Sequence, residues 1–521
     1  MLLVLVVCLL KDSLEKIPYL WYFYYIKKDL GENNNMAMFS NDSRAFKFDV
    51  LREIADEAFN NELTDEKITA FCKKLIPGTK ANYRCCVYKE REVLRQRARL
   101  AMGKMANDEA EYKPRQIVQV IEAACDGCTI KKIRITDNCR KCMAKACLSS
   151  CNFNAITIGP NRAEIDYDKC KSCGACARNC PYNAIVVTER PCSSHCPVNA
   201  ISWDENGIAR IDEEKCINCG QCMAACPFGA IEDISWVVPV AQLLRMNTPC
   251  IAIVAPSIQG QFENDTYAQI KAGIKALGFE RVVEAAVGAD GVAYYEHEEL
   301  MEHMEKKLPM TTSCCPAFVN MAKIHFPKQY HDNVSTLVSP MMAIARKLKQ
   351  DYPHHGIVFI GPCVAKKQEA MEEFTAVDYV LTYEEVAAMM IAKRIYCEEL
   401  EPYPDETVTV FGRNFAQGGG VSAAVAQVNN EKEKPAIKAV YADGCFECKK
   451  QLMLMRAGKF DADILEGMCC VGGCINGPAS IEQSLKTKVR MNKENAVKPK
   501  ITVSESVEYW DFSKVDMHRE K

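Results

Sequence analysis

Apolar residues recur at helical spacing between positions 43 and 102. The apolar positions of this stretch are Phe46, Val50, Ile54, Phe59, Ile68, Phe71, Leu75, Val87, Val93, Leu94 and Leu100. A stripe of this period is typical of amphipathic helices that bury one face. Pro77-Gly78 interrupts the pattern and predicts a division into two parts. Residues 39–115 are therefore expected to form a small helical region.

The pattern changes beyond about residue 248, where short apolar runs alternate with helical stretches. The runs are CIAIVAP, GIVFIGPC and AIKAVYADG, and a predicted helix near 265–278 follows the first. This alternation predicts parallel strands joined by crossover helices. Residues 241–500 are expected to form such a domain, with parallel sheets flanked by helices, and residues 501–521 to form a polar tail.

The first 38 residues carry a third pattern, the apolar run MLLVLVVCLL followed by the aromatic stretch IPYLWYFYYI. Ten apolar residues are too few to span a bilayer as a helix, which takes about twenty. No basic residue precedes the run and no clear small-residue cleavage site follows it, which disfavours a secretory signal. We expect residues 1–38 to be a dispensable or non-native extension rather than an anchor.

Composition narrows the classes of function. A net charge of -3 over 521 residues gives no whole-chain field that would attract nucleic acid or an anionic membrane. Thirty cysteines are too sparse for a small disulfide scaffold and too many for an ordinary cytosolic enzyme. Many lie two to four residues apart, which suits a compact inorganic core better than separate disulfides. We therefore expect metal clusters in a reducing, cytoplasmic setting, with no nucleic-acid partner and no membrane span.

The cysteine density peaks within residues 116–240, where a ferredoxin-like unit is repeated. DKCKSCGACARNCPYNAI at 168–185 is echoed by EKCINCGQCMAACPFGAI at 214–231. A 4Fe-4S cube takes three thiolates from one C-x2-C-x2-C loop and a fourth from a distant cysteine, which two-cluster ferredoxins exchange between their halves. The predicted fold class is thus α/β and α+β multidomain, with a ferredoxin-like iron-sulfur domain before the parallel-sheet domain.

The exchange rule predicts three accessory clusters. Their ligands would be Cys139, Cys142, Cys147 and Cys180 for the first, Cys151, Cys170, Cys173 and Cys176 for the second, and Cys196, Cys216, Cys219 and Cys222 for the third. The first loop departs from the pattern, because four residues rather than two precede Cys147. A row of such clusters predicts an electron wire, with a redox site at its inner end and a soluble carrier at its outer end.

Four further cysteines leave a fourth accessory site open. Cys125, Cys128, Cys192 and Cys226 remain unassigned, and they could hold a fourth cluster, a zinc ion or nothing. Cys445 and Cys448 form another C-x2-C, which we interpret as a packed thiol pair rather than a metal site because no partner pair remains for them.

Three cysteine elements of the C-terminal half lie outside any ferredoxin pattern. They are TTSCCPAF at 311–318, GPCVAKKQE at 361–369 and EGMCCVGGCINGP at 466–478. Each lies at or just after a predicted strand, where ligand sites gather in open parallel sheets. Four thiolates from three strand ends would make a rigid, buried metal site.

These three elements, together with the ferredoxin-like segment, resemble the signature set of FeFe-hydrogenases over roughly residues 116–495. The resemblance implies an H-cluster, a 4Fe-4S cubane joined to a diiron unit with carbonyl, cyanide and azadithiolate. Its cubane ligands would be Cys315, Cys363, Cys470 and Cys474, and Cys474 would also bridge to the diiron unit. Cys314 would match the thiol that exchanges protons with the bridge amine.

The resemblance also assigns other pocket residues. Lys366 would hydrogen-bond a cyanide, and the residues that would line the pocket are Ala255, Pro256, Phe415 and Met468. Glu296 and Glu299 would carry protons from one helix face, with the Ser335 hydroxyl between them. The alternative is a solvated acidic helix face, since the segment YYEHEELMEHMEKK is rich in Glu.

Some positions depart from the well-studied members of that family and resemble its group B branch. The departures are Gly361 before the Pro-Cys pair, Cys469 in place of Ala, Asn476-Gly477-Pro478 in place of a Gly-rich run, and Ala317-Phe318 in place of Gly-Trp. A smaller side chain at 361 and an extra thiol at 469 would change the polarity around the diiron unit and hence its potential.

The resemblance implies an enzyme that interconverts hydrogen with two protons and two electrons. Its partners would be ferredoxin or a similar soluble carrier, and the maturation proteins that build the diiron unit. Two alternatives remain, a hydrogen-sensing relative and a cubane-only iron-sulfur assembly protein. Cys314, Lys366 and Cys474 together favour the enzyme.

Overall fold

The computed structural model describes residues 42–60, 63–81, 84–107, 116–125, 128, 132–262, 265–372, 376–482 and 484–519. The predicted extension at 1–38 lies outside these ranges. Within them, no helix is both long and apolar enough to cross a bilayer.

The N-terminal region is helical, as its apolar stripe predicts. Its helices are α1 Asp42–Asn60, α2 Asp65–Leu75 and α3 Val87–Ala101. The Pro77-Gly78 break falls between α2 and α3. Ile54, Ile68 and Leu94 are buried in one core that also holds strand and helix residues from beyond residue 237. The region therefore packs directly on the parallel-sheet domain.

A buried charge network fixes this packing. Lys47 Nζ lies 3.3 Å from Glu384 Oε2 and 3.4 Å from Asp233 Oδ1, and Lys367 Nζ lies 2.6 Å from Asp233 Oδ2. Both lysines are matched by carboxylates, so their burial does not leave an unpaired charge. Through Asp233, the network joins the helical, iron-sulfur and parallel-sheet regions.

The ferredoxin-like segment consists of short antiparallel strand pairs and single-turn helices. The strands are β1 Val118–Val120, β2 Ile133–Ile135, β3 Ile156–Ile158, β4 Ala163–Ile165, β5 Ile185–Val187, β6 Ile201–Trp203, β7 Ala209–Ile211 and β8 Ile231–Asp233. The helices are α4 Ala146–Ser149, α5 Ala175–Arg178, α6 Pro191–Ser194 and α7 Gln221–Ala225.

The pairing of these strands nests one module inside another. β1 pairs with β8, and β2 pairs with β5 between them. Residues 132–188 thus form an outer module inserted into an inner module that is built from residues 116–125, 128 and 190–235. Because the two halves of the inner module meet, cysteines near residue 125 are brought beside cysteines near 192 and 226.

The rest of the chain forms two parallel sheets, of order β10-β9-β12-β13 and β11-β15-β14. Their strands are β9 Cys250–Val254, β10 Arg281–Glu284, β11 Met310–Thr311, β12 Gly356–Ile360, β13 Tyr379–Leu381, β14 Ala439–Asp443 and β15 Ile464–Met468. The two central strands of the first sheet, β9 and β12, read as continuous apolar runs because both faces are covered. The expected mixed α/β architecture, with parallel sheets flanked by helices, is confirmed.

Helices cover both sheets and fill the space between them. They are α8 Val237–Arg245, α9 Tyr267–Ala276, α10 Ala285–Glu305, α11 Pro316–His325, α12 Pro327–Asn333, α13 Pro340–Asp351, α14 Ala365–Glu372, α15 Tyr383–Ala392, α16 Val410–Asn414, α17 Gly420–Glu431, α18 Cys445–Arg456, α19 Ser484–Asn495 and α20 Val503–Trp510. The first half of α10 is buried, and it carries Glu296 on the same buried side.

The prediction of a polar tail at 501–521 is wrong for the residues described there. Helix α20 begins at a capping box made by Thr502 and Glu505, and it buries Val503 and Trp510. Leu337 then forms a β-bridge with His518. Most apolar residues of the segment are spaced so that they reach the core, a result that overall polarity does not reveal.

Candidate functional site

The carboxyl ends of three strands meet around one mostly apolar cavity. Cys314 and Cys315 follow β11, Cys363 follows β12, and Cys470 and Cys474 follow β15, and all five line this cavity. Parallel strands all present their carboxyl ends at one edge, which explains why elements some 160 residues apart converge.

The thiols of this cavity are suited to binding a positively charged metal centre. Burial, followed by the charges of neighbouring thiols, raises the pKa of Cys363 to about 11 and raises the pKa values of Cys470 and Cys474 as well. Four such thiols would ionise together only around bound metal, whose charge compensates theirs. The described lining contains no His, Asp or Glu, so its donors are the thiolates that iron-sulfur clusters use.

Cys315 differs from the other three. A hydrogen bond from Cys469 lowers the pKa of the Cys315 thiol to about 7 in spite of its burial. The extra thiol at 469, which distinguishes this chain from the well-studied branch, therefore touches a predicted cluster ligand directly.

The remaining wall of the cavity is apolar. The four pocket residues assigned from sequence, Ala255, Pro256, Phe415 and Met468, all line it. Two glycines near the cavity stand where any side chain would clash with a neighbouring residue. A Cβ at Gly473, where φ is 94°, would lie 2.6 Å from Gly418 N, and one at Gly361 would lie 2.5 Å from the Phe359 ring. The Phe359 ring thus takes the space that a larger side chain at 361 would need.

Two polar groups face the cavity among these apolar residues. Lys366 Nζ donates to Glu369 Oε2 at 2.7 Å and to the Cys314 carbonyl oxygen at 3.4 Å. The Cys314 thiol is buried, and desolvation followed by the charge of Glu296 raises its pKa well above the ordinary range. Cys314 is therefore held as a neutral thiol that can donate a proton into the cavity.

Behind Cys314 lies the first of the two predicted carboxyl groups. Glu296 is fully buried, and desolvation followed by the charge of Glu299 raises its pKa to about 8. Its Oε1 accepts a hydrogen bond of 3.3 Å from the Ser313 N–H, and no described group hydrogen-bonds its Oε2. The alternative of a solvated helix face is wrong for Glu296, although it holds for the exposed Glu298.

Ser335 is placed beside the second carboxylate. Its Oγ donates to Glu299 Oε2 at 2.7 Å, and Glu299 Oε1 accepts the Thr336 N–H at 2.9 Å. The structure records no hydrogen bond from Ser335 to Glu296 among the described residues, so the predicted bridging position is only half fulfilled. Glu299 is partly exposed, which puts this end of the row toward solvent.

The outer module brings its cysteines together in two small cavities. The first is lined by Cys139, Cys142, Cys147 and Cys180, and the second by Cys151, Cys170, Cys173 and Cys176. Backbone amides approach the sulfurs, with the Ala163 N–H 3.4 Å from Cys139 Sγ and the Ala155 N–H 3.4 Å from Cys151 Sγ. Amides aimed at sulfur favour the charged thiolate form.

The inner module gathers its cysteines as well. Burial and then the nearby Cys226, Cys128 and Cys125 raise the pKa of Cys192 to about 11. Burial and then Cys216, Cys196 and Cys192 raise the pKa of Cys222. The four cysteines of the open fourth site are thus neighbours, and that group adjoins the third. Among the described residues, no three Cys, His, Asp or Glu side chains are close enough to hold a single metal ion.

Sequence comparison covers the region around the cavity lined by Cys314, Cys315, Cys363, Cys470 and Cys474. We call this cavity the catalytic-type cavity because of the role predicted for it. Residues 248–478 match the family model described as iron only hydrogenase large subunit, C-terminal domain. This part of the chain is therefore similar to the C-terminal domain of iron-only hydrogenases. Residues 163–186 match a 4Fe-4S binding domain, and residues 186–237 match the Fe-S cluster-binding domain of LdpA.

Three curated relatives illustrate how far the similarity of this hydrogenase-like chain extends. Iron hydrogenase 1 of Clostridium pasteurianum is 26% identical over 44% of this chain and 49% of its own length. The periplasmic [Fe] hydrogenase large subunit of Nitratidesulfovibrio vulgaris is 27% identical over 49% of this chain and 76% of its own. The nuclear prelamin A recognition factor of Xenopus laevis is 24% identical over 39% and 57%. The chain thus spans about half the length of the clostridial relative.

Sequence reasoning missed two charged residues of the hydrogenase-like site. Glu466, within β15, is buried and accepts hydrogen bonds from Gly419 N and Ser422 Oγ, and its charge adds to those that raise the pKa of Glu296. Arg519 donates to the carbonyl oxygens of Ser313 and Leu337, and it acts to lower the same pKa. A lone Glu in an apolar strand was the available signal for Glu466. Arg519 gave none, because it lies in the segment taken for a tail.

Proposed function

We propose that this chain interconverts hydrogen with two protons and two electrons at an H-cluster held by Cys315, Cys363, Cys470 and Cys474. The observation that supports this most is that Cys314 and Lys366 share one cavity with the four thiols. A cubane alone needs neither residue, whereas a second, anionic metal unit needs a proton donor and a cation beside it.

When bound, the diiron part of that cofactor would supply the iron at which hydrogen is split or formed. The chain's own residues handle the proton. Cys314 holds it as a neutral thiol because its site is dry. Glu296, whose pKa is raised to about 8, is mostly protonated near neutral pH and can reload Cys314. Glu299 and Ser335 continue the row toward solvent.

We infer that electrons reach the cavity through the accessory cysteine sites. The inner module lies against the catalytic-type domain, since Cys219 lines the same cavity as Cys315 and His325 hydrogen-bonds the Lys215 carbonyl oxygen. The outer module carries the first and second sites. This order supports a route from the outer sites, through the fourth and third, to the cubane.

The outer module also supports an acidic soluble carrier as the electron partner. Residues 132–188 contain nine Lys and Arg against four Asp and Glu, in a chain whose net charge is -3. Arg140, Lys141 and Lys145 flank the first site. Met143, next to them, is 97% exposed, which provides an apolar contact within the basic surface. The maturation proteins that build the diiron unit remain required partners, and a reducing, cytoplasmic setting suits these clusters.

A second candidate function is an iron-sulfur protein with cubanes and no diiron unit. The chain is similar to nuclear prelamin A recognition factor at nearly the same identity as to the hydrogenases, and this similarity supports the second candidate function. The two functions predict different cofactors in the same cavity.

The deciding experiment is anaerobic expression with the maturation proteins, followed by infrared spectroscopy and a viologen-linked hydrogen assay in both directions. We expect stretches of metal-bound carbonyl and cyanide together with hydrogen turnover. Protein that holds its cubane iron but lacks both signals would overturn the enzyme and leave the second candidate. The same chain expressed without maturation proteins is the matched control, and it should be inactive.

A further inference from the structure

Three buried cysteines occupy the wall between the third accessory site and the catalytic-type cavity. Cys445, Cys448 and Cys469 are 5%, 0% and 1% exposed. Parallel pairing of β14 and β15 sets Asp443 beside Met468, and the Gly444 N–H donates to the Met468 carbonyl oxygen at 2.9 Å. Cys445 and Cys469 therefore emerge side by side from neighbouring strands.

The contacts of these thiols run in a row. Cys469 lines the same cavity as Cys315, a predicted ligand of the catalytic cubane, and it belongs with Cys445 to one buried cluster against which Cys315 packs. Cys219, a predicted ligand of the third accessory cluster, packs against the same buried cluster, which contains Cys445. This buried cluster thus adjoins both predicted cluster sites.

The positions of the thiol hydrogens follow from the cluster chemistry. As cluster ligands, Cys219 and Cys315 would be thiolates without hydrogen. Cys445 Sγ lies 3.3 Å from the Cys469 carbonyl oxygen, but an ionised sulfur is the stronger acceptor. The single hydrogen of Cys445 would then turn to Cys219, and that of Cys469 to Cys315. Each cluster receives one S–H donor from the row.

Hydrogen bonds to cluster sulfurs are one of the factors that set reduction potential. The reduced cluster carries one more negative charge than the oxidised cluster, so a donor stabilises the reduced form and raises the potential. The effect is strengthened here because the row is buried, where low dielectric makes each polar contact stronger.

We propose that Cys445 and Cys469 are positioning residues that raise the reduction potentials of the two clusters between which they lie, Cys445 acting on the third accessory cluster and Cys469 on the catalytic cubane. The inference rests on the cluster ligands of the proposed function, but it does not depend on hydrogen turnover. Cys448 provides a matched comparison, because its Sγ donates to the Ala442 carbonyl oxygen at 3.8 Å and its contact is with Cys469 rather than a cluster ligand.

The test is an anaerobic redox titration, monitored by electron paramagnetic resonance, of the full chain loaded with cubanes and expressed without maturation proteins. The component missing from Cys363→Ser identifies the catalytic cubane, and the one missing from Cys216→Ser identifies the third accessory cluster. We expect Cys469→Ala to move only the cubane component to a more negative potential, and Cys445→Ala to move only the accessory component. Cys469→Ser, which keeps a hydroxyl donor, should restore the wild-type position.

Two controls keep the result specific. Cys448→Ala should shift each component by less than Cys445→Ala or Cys469→Ala does. Cys397 is a buried thiol in contact with Met390, and Cys397→Ala should shift neither component. Unchanged midpoints in both Cys445→Ala and Cys469→Ala, at full iron content, would overturn the proposal, as would an equal shift in Cys397→Ala. If an alanine variant loses iron, Cys469→Ser against Cys469→Val repeats the comparison. Absence of hydrogen turnover in the matured wild type would refute the proposed function alone.

Discussion

The outer iron-sulfur module and the catalytic-type cavity both collect cysteines, but they do so in opposite ways. In the outer module, residues within about fifty positions fold on themselves, and Cys173 stays exposed. In the cavity, three strand ends that lie far apart in sequence bring their thiols together around one mostly apolar space. A local loop is sufficient to hold a cluster that passes electrons, whereas a dry cavity assembled by the whole domain can also control a proton.

We expect the largest difference between the two regions when the thiol of Cys314, to which no cluster is assigned, is removed. In matured Cys314→Ala, we expect hydrogen turnover to fall by about 10³-fold or more, because the last donor of the proposed proton route is lost. Iron content should remain that of the wild type, as measured by metal analysis beside the viologen assay. Turnover within tenfold of the wild type would remove Cys314 from the proton route.

A somewhat smaller loss is expected one step further out. Glu299→Gln keeps the shape of the side chain but can no longer carry a proton, and hydrogen turnover should fall by about 10²-fold. Glu298→Gln, on the exposed side of the same helix, is the matched control and should leave turnover unchanged. Equal rates in both variants would mean that protons enter elsewhere.

The outer module should respond to charge rather than to protons. The double variant Lys141→Glu and Lys145→Glu should raise KM for an acidic protein carrier by about tenfold, since electrostatic steering is reversed. The viologen-linked rate should be unchanged. The KM for the carrier should also depend less on ionic strength than it does in the wild type. A KM equal to that of the wild type would place the docking surface elsewhere.

Iron content distinguishes the inner module's open site from idle thiols. If the four neighbouring thiols hold a cluster, Cys192→Ser should lose the iron of one cubane. Cys448→Ser, a buried thiol outside the four sites, should lose none. Wild-type iron in Cys192→Ser would leave the fourth site without a cluster.

The smallest expected effect is on stability, and it separates a buried carboxyl from exposed ones. Since burial raises the pKa of Glu296 to about 8 from an ordinary 4.5, the native state keeps a proton that the unfolded chain releases between these values. Stability should therefore fall as pH rises through this window. Glu296→Gln should show a weaker decline in urea midpoint between pH 5 and pH 9, and a slope equal to that of the wild type would contradict the raised pKa.

The same contrast explains what sequence could predict. Ligand sets such as Cys170, Cys173 and Cys176 follow from spacing in one loop, and strand-end motifs follow from the alternation of apolar runs with helices. The contacts of Cys469 with Cys315 and Cys445 depend on the register of β14 against β15, which spacing does not contain. Glu466 and Arg519 reach the site from a strand interior and a terminal segment, so their roles depend on tertiary packing alone.

The pairing of β1 with β8 around β2 and β5 has an evolutionary consequence. Residues 132–188 leave and re-enter their host at neighbouring points, so the host's own strand pairing closes without them. Such an insert can be exchanged, duplicated or deleted while the remaining fold stays intact. An evolutionary lineage could thereby acquire a different redox partner by replacing this one insert, without changing the residues of the distant cavity.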